Sequence, residues 1–133
     1  TKAKMKENEE VVHRERKKGY DHIRHSLWNG YYQGWDLNPA QFPMRYTAVF
    51  AFFMESYDDA VERLKTFVEK AARATLIGDV FDDAATGQGL LNYFLRALNS
   101  GAITEDEVLA TGLTLNEIRS RSFKKILENR KMK

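Results

Sequence analysis

The chain has 133 residues, of which 43% are hydrophobic and 30% are charged, and this length and composition are typical of one folded domain with its own core. It contains no cysteine, which excludes disulfides, thiolate chemistry and cysteine-ligated metal centres. The longest apolar run, residues 48–54, is too short to cross a bilayer, and the lysine-rich start lacks the apolar core of a signal peptide. We therefore expect a single cytoplasmic domain that makes no membrane contact.

Charge is distributed unevenly along the chain, although the formal net charge is only +2. Residues 1–30 carry eight Lys or Arg against five Asp or Glu, residues 31–110 carry six against twelve, and residues 111–133 carry seven against two. Basic ends around an acidic middle suit the binding of a polyanion, and they equally suit head-to-tail pairing with a second copy of the chain. The charge pattern alone does not decide between the two.

A charged helix is the first predicted element, and it ends near Trp28. Its Glu, Lys and Arg residues recur at spacings that support a solvated helix. The first turns are too polar to pack tightly, so we expect order from about Glu9 and a flexible charged arm over residues 1–8. Gly19 is expected to interrupt the helix, because glycine disfavours a helix interior by about 1 kcal/mol.

Residues 29–43 form the main connection of the predicted fold. Both prolines, Pro39 and Pro43, lie in this segment and push the residue before each of them away from helical geometry. Residues 44–55 are then apolar nearly all round, which predicts a helix buried on every side, either at the centre of the fold or in a subunit interface. A strand is the competing interpretation, but no second strand-like segment is present to pair with it.

An amphipathic helix is predicted next, beginning after Ser56. Its apolar residues recur at helical spacing to about Thr75, and Gly78 is expected to end it. Residues 79–85 predict a short helical turn. The sequence Thr-Gly-Gln-Gly at residues 86–89 predicts a break, and it lacks the preceding strand and the following lysine of a phosphate-binding loop.

Three more predicted helices complete the chain. An apolar stripe covers residues 90–98, a short helix begins at Thr104, and a terminal helix runs from Thr114 to about Arg130. The acidic residues after Thr104 suit the positive end of the helix dipole, and Thr114 with Glu117 forms the pattern of a capping box. The predicted fold is all-α, an irregular orthogonal bundle of about five or six helices around residues 44–55.

The last two predicted helices resemble a helix-turn-helix, whose second helix enters the major groove of DNA. Asn and Arg pair with base edges, and Lys binds phosphate. The residues predicted to bind nucleic acid here are Asn116, Arg119, Ser120, Arg121, Lys124, Lys125 and Arg130. The match is incomplete, because Arg121 stands where the motif has an apolar residue. The alternative is an ordinary capped helix with a solvated basic face.

The basic residues of the first helix extend the predicted nucleic-acid surface. Arg16, Lys17 and Lys18 suit an arm that follows a phosphate backbone. Interleaved glutamates neutralise much of this positive field, so a solvated helix face or a coiled-coil seam is the competing interpretation.

The aromatic residues between Trp28 and Trp35 have two interpretations. Flat rings separated by glycine suit a platform for stacking bases or a docking patch for a partner. Aromatic residues beside a loop also plug the ends of neighbouring helices, and we expect this core packing here.

Two histidines of the first helix are the remaining candidates for chemistry. His22 and His25 are three residues apart with Asp21 beside them, a spacing at which two imidazoles share a metal ion only if further ligands are present. Arg16 with His22 is similar to the Arg and His pairs of helical ribonucleases. Neither pattern is specific, so we assign no catalytic residue, metal or cofactor and expect no enzyme.

The function predicted from the sequence is a small homodimeric DNA-binding protein of a regulatory or accessory kind. The homodimer is expected because the chain has more apolar and aromatic surface than a domain of this size buries easily. The alternative is a protein–protein adaptor or inhibitor acting through the acidic middle of the chain. The acidic residues named for that role are Asp58, Asp59, Asp79, Asp82 and Asp83.

Overall fold

The computed structural model describes residues 1–32, 34–76 and 84–131, which form seven α-helices and one 3-10 turn and contain no strand. The all-α class is confirmed, and a bundle of about five or six helices is consistent with it. The helices are α1 (Lys2–Trp28), α2 (Phe42–Glu55), α3 (Tyr57–Leu76), α4 (Ala84–Ser100), α5 (Glu105–Leu109), α6 (Leu115–Arg119) and α7 (Phe123–Lys131), and the 3-10 turn is Pro39–Gln41.

The chain forms two compact units, Thr1–Phe52 and Phe53–Lys133, and the boundary between them falls within α2. The first unit contains α1, the connection that follows it and most of α2. The second unit contains the end of α2 and all later helices.

Helix α1 is continuous from Lys2 to Trp28, so the expected interruption at Gly19 is wrong, whereas the flexible arm over residues 1–8 stays a prediction. The presence of glycine within the helix is explained by close packing, because a Cβ atom on Gly19 would lie only 2.3 Å from the Met44 sulfur. The helix is about 40 Å long at 1.5 Å per residue, yet only Ile23 and Leu27 are buried. Most of its surface is therefore exposed.

Helix α1 ends at the predicted Asn-Gly pair. The Asn29 side chain donates a hydrogen bond to the carbonyl of His25 at 2.8 Å. Gly30 adopts a φ of 82°, and the N–H of Tyr31 returns to the carbonyl of Ser26 at 2.9 Å. This arrangement satisfies carbonyls of the last helical turn.

Helix α4 is the centre of the second unit, where it packs against α3, α5, α6 and α7. Its predicted apolar stripe is confirmed by the burial of Leu90, Leu91 and Phe94. The apolar stripe of α3 is likewise buried at Ala60 and Leu64. The core is completed by the fully or almost fully buried side chains Val108, Leu113, Ile118, Phe123 and Ile126.

The predicted break at residues 86–89 is wrong, because α4 runs through all four of them. The reason lies in packing: Gly87 is buried, and a Cβ atom there would lie 2.4 Å from the ring of Phe123. The glycine thus lets α7 approach α4 closely. Most of the short helical turn expected at 79–85 lies outside the described residues, and Ala84 and Ala85 belong to α4.

Substitution of Gly87 by Ala should destabilise the second unit by about 1–3 kcal/mol, because the new methyl group overlaps a fully buried ring. Gly89 is the matched control. It lies in the same helix, is exposed and has no neighbour within 4 Å of an added Cβ. Gly89→Ala should therefore stabilise the second unit by about 0.5–1 kcal/mol. Urea unfolding of both variants measures the difference, and equal effects would contradict the close approach.

Candidate functional site

Two capping boxes organise the short helices α5 and α6, and the sequence predicted the second of them. The Thr104 N–H donates to a Glu107 carboxylate oxygen at 2.6 Å, and the Glu107 N–H returns to the threonine hydroxyl at 3.3 Å. The same pair of bonds joins Thr114 and Glu117, at 2.7 and 3.2 Å. Each helix of five residues is thereby fixed at its start.

The predicted terminal helix is not one helix but two, because the chain turns between α6 and α7. Arg121 adopts a φ of 58°, the left-handed region that residues with a side chain rarely occupy. The side chain of Gln88 holds this turn from α4. Its amide nitrogen donates to the carbonyl of Arg121 at 3.1 Å, and its oxygen accepts from the N–H of Phe123 at 2.9 Å.

This turn separates the residues that the sequence predicted on one recognition helix. Asn116 and Arg119 lie on α6, Arg121 lies in the turn, and Lys124 and Lys125 lie on α7. The expected continuous helix from Thr114 to Arg130 is therefore wrong. The apolar residues Val108, Leu113 and Ile118 in this part of the chain are all buried.

Several of the predicted nucleic-acid-binding residues are tied to acidic or backbone partners. Arg119 pairs with Glu105, and the Ser120 hydroxyl donates to the carbonyl of Glu117 at 2.7 Å. Lys124 lies 3.9 Å from Glu128. Arg121 and Lys125 are exposed and form no ion pair with any residue that the structure describes.

Arg130 has a structural role. Its Nε atom lies 2.6 Å from Glu117, and its guanidinium also donates to the carbonyl of Gly112 at 2.8 Å. It therefore joins α7 to the start of α6. The hydrogen bond from Arg130, with those from Thr114, lowers the pKa of Glu117 from 4.5 to about 2.

The ion pair of Glu117 with Arg130 should make stability depend on pH. The folded-state pKa of Glu117 lies below its ordinary value, so this contribution is present above pH 4.5 and is lost as the pH falls towards 2. Arg130→Met should lower the free energy of unfolding by about 1 kcal/mol at neutral pH, a figure that allows for solvent screening. It should also reduce the loss of stability between pH 4.5 and 2. Urea unfolding between pH 7 and 2.5 measures this.

The control is Lys124→Met, because Lys124 belongs to an exposed pair on the same helix. It should change stability by only a few tenths of a kcal/mol. If Arg130→Met and Lys124→Met give the same pH profile, the stabilising role of Arg130 is contradicted.

The basic residues of α1 are spread over an exposed helix. Lys17 pairs with Asp21 at 2.7 Å in an exposed i,i+4 arrangement. Arg16 and Lys18 are exposed and form no ion pair with a residue in the described part of the chain. These residues lie in the first unit, whereas Arg121 and Lys125 lie in the second.

His22 lines a small cavity of about 180 Å³. Arg45, Tyr31 and Tyr32 also line it, but Arg16 does not. The structure thus does not bring Arg16 into the position that the ribonuclease interpretation needs. Among the described residues, no group of three or more His, Asp or Glu is placed to hold a metal ion.

The acidic middle of the chain is described only in part. Asp58 and Asp59 lie exposed in the first turn of α3, where negative charge stabilises the helix dipole. The other three named aspartates, Asp79, Asp82 and Asp83, lie outside the described residues. The two that are described have a structural role at this helix start.

The expected core packing of the aromatic stretch is wrong for three of its rings. Trp28, Tyr31 and Trp35 are 62%, 71% and 88% exposed. Tyr32 is half-buried, and its ring meets Phe52 edge to face at a centroid distance of 6.3 Å. Trp28 also meets Phe52 edge to face, at a centroid distance of 5.3 Å, although most of its ring is exposed.

Helix α2 is likewise not buried on every side. Ala48 and Phe52 are buried, but Phe42, Tyr46 and Phe50 recur every four residues on the opposite side and are all exposed. The rings of Tyr46 and Phe50 lie edge to face at a centroid distance of 5.9 Å. We call these three residues the outer face of α2, and none of them carries a charge.

Arg45 holds the aromatic segment against α2. Its Nε atom lies 2.5 Å from an Asp36 carboxylate oxygen, and both side chains are largely shielded from solvent. Its guanidinium also packs against Gly34, since a Cβ atom on that glycine would lie only 2.4 Å from a guanidinium nitrogen. Gly34 and Asp36 therefore face α2, whereas Trp35 and Leu37 between and after them are 88% and 86% exposed.

Sequence reasoning identified the aromatic stretch but not the residues that orient it. Asp36 and Arg45 are nine residues apart in the sequence, and Pro39 and Pro43 lie between them. No local sequence pattern predicts a pair at this spacing. Gln88 was missed for the same reason, since its partners are more than thirty positions away. The one local signal was that small or polar residues, Gly34 and Asp36, alternate with large apolar residues, Trp35 and Leu37.

A family model described as Domain of unknown function (DUF6986) matches residues 3–126. The match covers nearly the whole chain, and the chain therefore belongs to this family. No curated protein and no solved structure matches it. Among the described residues, no helix combines the length and apolar character needed to span a membrane.

Proposed function

We propose that the chain is a protein-docking module that binds a partner protein through apolar residues of its first unit. The observation that carries this proposal is the exposure of Trp35 and Leu37, which are 88% and 86% accessible although both are strongly apolar. The docking surface is defined as Trp35 and Leu37 together with the outer face of α2. All five of its side chains are uncharged.

The apolar character of the docking surface supports this function. Burying a leucine side chain contributes about 1.5–3 kcal/mol, and an aromatic side chain buries about 150–250 Å². Apolar patches of several hundred Å² on soluble proteins commonly mark interaction sites. Tryptophan and tyrosine are also the residues that most often dominate binding energy at interfaces.

The way the segment is anchored also supports docking. The Asp36 and Arg45 ion pair holds one side of it, and the Asn38 side chain caps the 3-10 turn that follows, accepting from the N–H of Ala40 at 2.9 Å. Gln41 completes this capping box. A segment held in this way loses little further conformational freedom when it binds, which favours affinity.

This proposal keeps the adaptor class that the sequence suggested and moves its surface from the acidic middle to the aromatic segment. Homodimer formation, a cytoplasmic location and the absence of enzyme activity stay predictions. They are compatible with a docking module but do not follow from it.

Site-specific photo-crosslinking tests the docking function. A benzophenone amino acid is placed at Tyr46 on the docking surface or at Lys65 on the exposed side of α3, in extract of the cells that make the protein. The Tyr46 probe should give one defined protein adduct that the Lys65 probe does not. The adduct should disappear in the Trp35→Ser/Leu37→Ser variant.

That variant changes only exposed side chains, so its helical circular dichroism and unfolding midpoint should match the parent chain. Adducts that are identical at both positions, or that survive the double substitution in a folded chain, would contradict the docking function.

Nucleic-acid binding is the second candidate function, and we propose it on a narrower basis. Arg121 and Lys125 are exposed cations without an acidic partner among the described residues. Arg119 and Arg130 already pair with glutamates, so few of the cations predicted to bind nucleic acid in the second unit remain for phosphate. Each phosphate contact steepens the salt dependence of binding by about 0.9 in log–log units, and the expected affinity is accordingly weak.

Fluorescence anisotropy of a labelled random-sequence duplex, at low and at near-physiological salt, tests this candidate. Arg121→Gly/Lys125→Ala should reduce the log–log salt slope by about 2, whereas Arg119→Ala should leave it nearly unchanged. Glycine at position 121 suits the positive φ, so lost binding cannot come from unfolding. Absence of binding at low salt would exclude DNA as a ligand of the chain.

A further inference from the structure

The amino-terminal segment of α1, residues 2–18, is helical although every one of its residues is exposed. A helix without packing partners is marginally stable in water, and most helices in proteins are stabilised by burying one face. Val11 and Val12 lie in the middle of the segment and are 40% and 45% exposed. The segment therefore presents a helix face that no described residue buries.

The charge of the amino-terminal segment changes sign at the two valines. Residues 7–10 contain three glutamates and no basic residue, which gives a formal charge of −3. Residues 13–18 contain four Lys or Arg and one glutamate, which gives +3. Equal and opposite charges on the two sides of an apolar centre make the segment complementary to a reversed copy of itself.

Helical spacing places opposite charges along both edges of the valine face. Glu7 and Lys18 lie four residues before and seven residues after the first valine, so all three follow one edge. Glu9 and Arg16 lie three residues before and four residues after the second valine, and they follow the other edge. All four charged side chains are exposed and form no ion pair with a residue that the structure describes.

We propose that two copies of the chain pair through this face of α1, with the two helices antiparallel. A two-fold axis near residue 12 places Glu7 opposite Lys18 of the second copy. The same axis places Glu9 opposite Arg16 of the second copy, and the symmetry repeats each ion pair. The valines of both copies meet at the axis, where they lose contact with water.

The polar residues in the middle of the face fit the same arrangement. Asn8 and Glu15 are seven residues apart and lie between the two edges. The axis brings the Asn8 amide of one copy close to the Glu15 carboxylate of the other, and an amide donates hydrogen bonds that a carboxylate accepts. The face is thus complementary to its own copy along its centre as well as along its edges.

Other arrangements of the segment are less favourable. A parallel pair in register places each glutamate opposite a glutamate and each cation opposite a cation, and like charges on neighbouring positions are destabilising. A parallel pair shifted by nine residues joins the acidic half of one copy to the basic half of the other and leaves the remaining halves unpaired. A different protein would need the same order of acidic, apolar and basic residues, which a second copy already has.

The pairing is expected to be weak and sensitive to salt. Exposed ion pairs contribute little individually, and salt screens them. The dissociation constant of the dimer should therefore rise about tenfold between about 20 mM and about 500 mM salt. This surface is separate from the docking surface, so the pairing does not depend on the proposed function.

Sedimentation equilibrium of the purified chain, at protein concentrations up to about 1 mM, tests the pairing with two charge-reversed variants. One variant is Glu7→Lys/Glu9→Arg, and the other is Arg16→Glu/Lys18→Glu. Each variant alone places like charges opposite each other and should dimerise at least about tenfold more weakly than the parent chain. An equimolar mixture restores every pair of opposite charges and should associate within about threefold of the parent.

The control for net charge is Glu62→Lys/Glu69→Lys on α3. Both of these residues are exposed, and the double substitution changes the net charge by as much as Glu7→Lys/Glu9→Arg does. This control should dimerise within about threefold of the parent chain. Recovery on mixing also separates the pairing from a folding defect, because two misfolded variants do not restore each other.

Single cysteines report the direction of the helices, since the chain has no cysteine of its own. Val12→Cys lies near the proposed axis and should form a disulfide between copies on mild oxidation. Met5→Cys should not, because the two copies of residue 5 lie about 20 Å apart along an antiparallel pair. This separation is beyond the reach of a disulfide, so equal linkage at both positions contradicts the antiparallel arrangement.

Two sedimentation results overturn the pairing directly. One is a parent chain that stays monomeric at low salt, and the other is a mixture that associates no more strongly than its components. A dimer that Trp35→Ser/Leu37→Ser dissociates and the charge reversals leave intact would be formed by the docking surface, and it too overturns the pairing through α1.

Discussion

The contact of Arg45 with Asp36 and Gly34 is the constraint on which the first unit depends. The ion pair holds a short stretch of chain against α2, and the missing side chain of Gly34 leaves space for the guanidinium. Because side chains alternate along the stretch, Trp35 and Leu37 are then directed away from the helix that would otherwise cover them. The exposed apolar surface is thus a consequence of how the segment is anchored.

The second unit uses comparable long-range contacts for a different purpose. Gly87 admits the ring of Phe123, and Gln88 binds the main chain on both sides of the turn at Arg121. Arg130 then joins α7 to the start of α6. These contacts make a compact helical unit out of residues whose sequence resembles a DNA-reading motif, and they turn part of its basic charge into internal ion pairs.

The helices were predictable because their signals are local. Apolar residues at helical spacing identified α3 and α4. The acidic residues after Thr104 identified the start of α5, and the capping box of Thr114 and Glu117 identified the start of α6. The docking surface was predictable only as an aromatic stretch. Whether its rings face inward depends on Arg45, which lies beyond two prolines and follows no local pattern.

Two errors in the prediction have the same physical origin. Gly19 and Gly87 were interpreted as helix breakers, but each lies within a helix and admits a large side chain from another helix, Met44 in one case and Phe123 in the other. A glycine costs a helix about 1 kcal/mol, and close packing offsets this cost. The sequence does not distinguish the two uses of glycine, because the partner residue is distant.

Acrylamide quenching of Trp35 fluorescence, in the chain with Trp28→Phe, tests the central claim most directly. An apolar ring held away from α2 by Asp36 and Arg45 should be quenched nearly as strongly as tryptophan in a short unstructured peptide. Weak quenching, of the kind that a buried tryptophan shows, would mean that this ring is covered within the isolated chain and would contradict the docking surface.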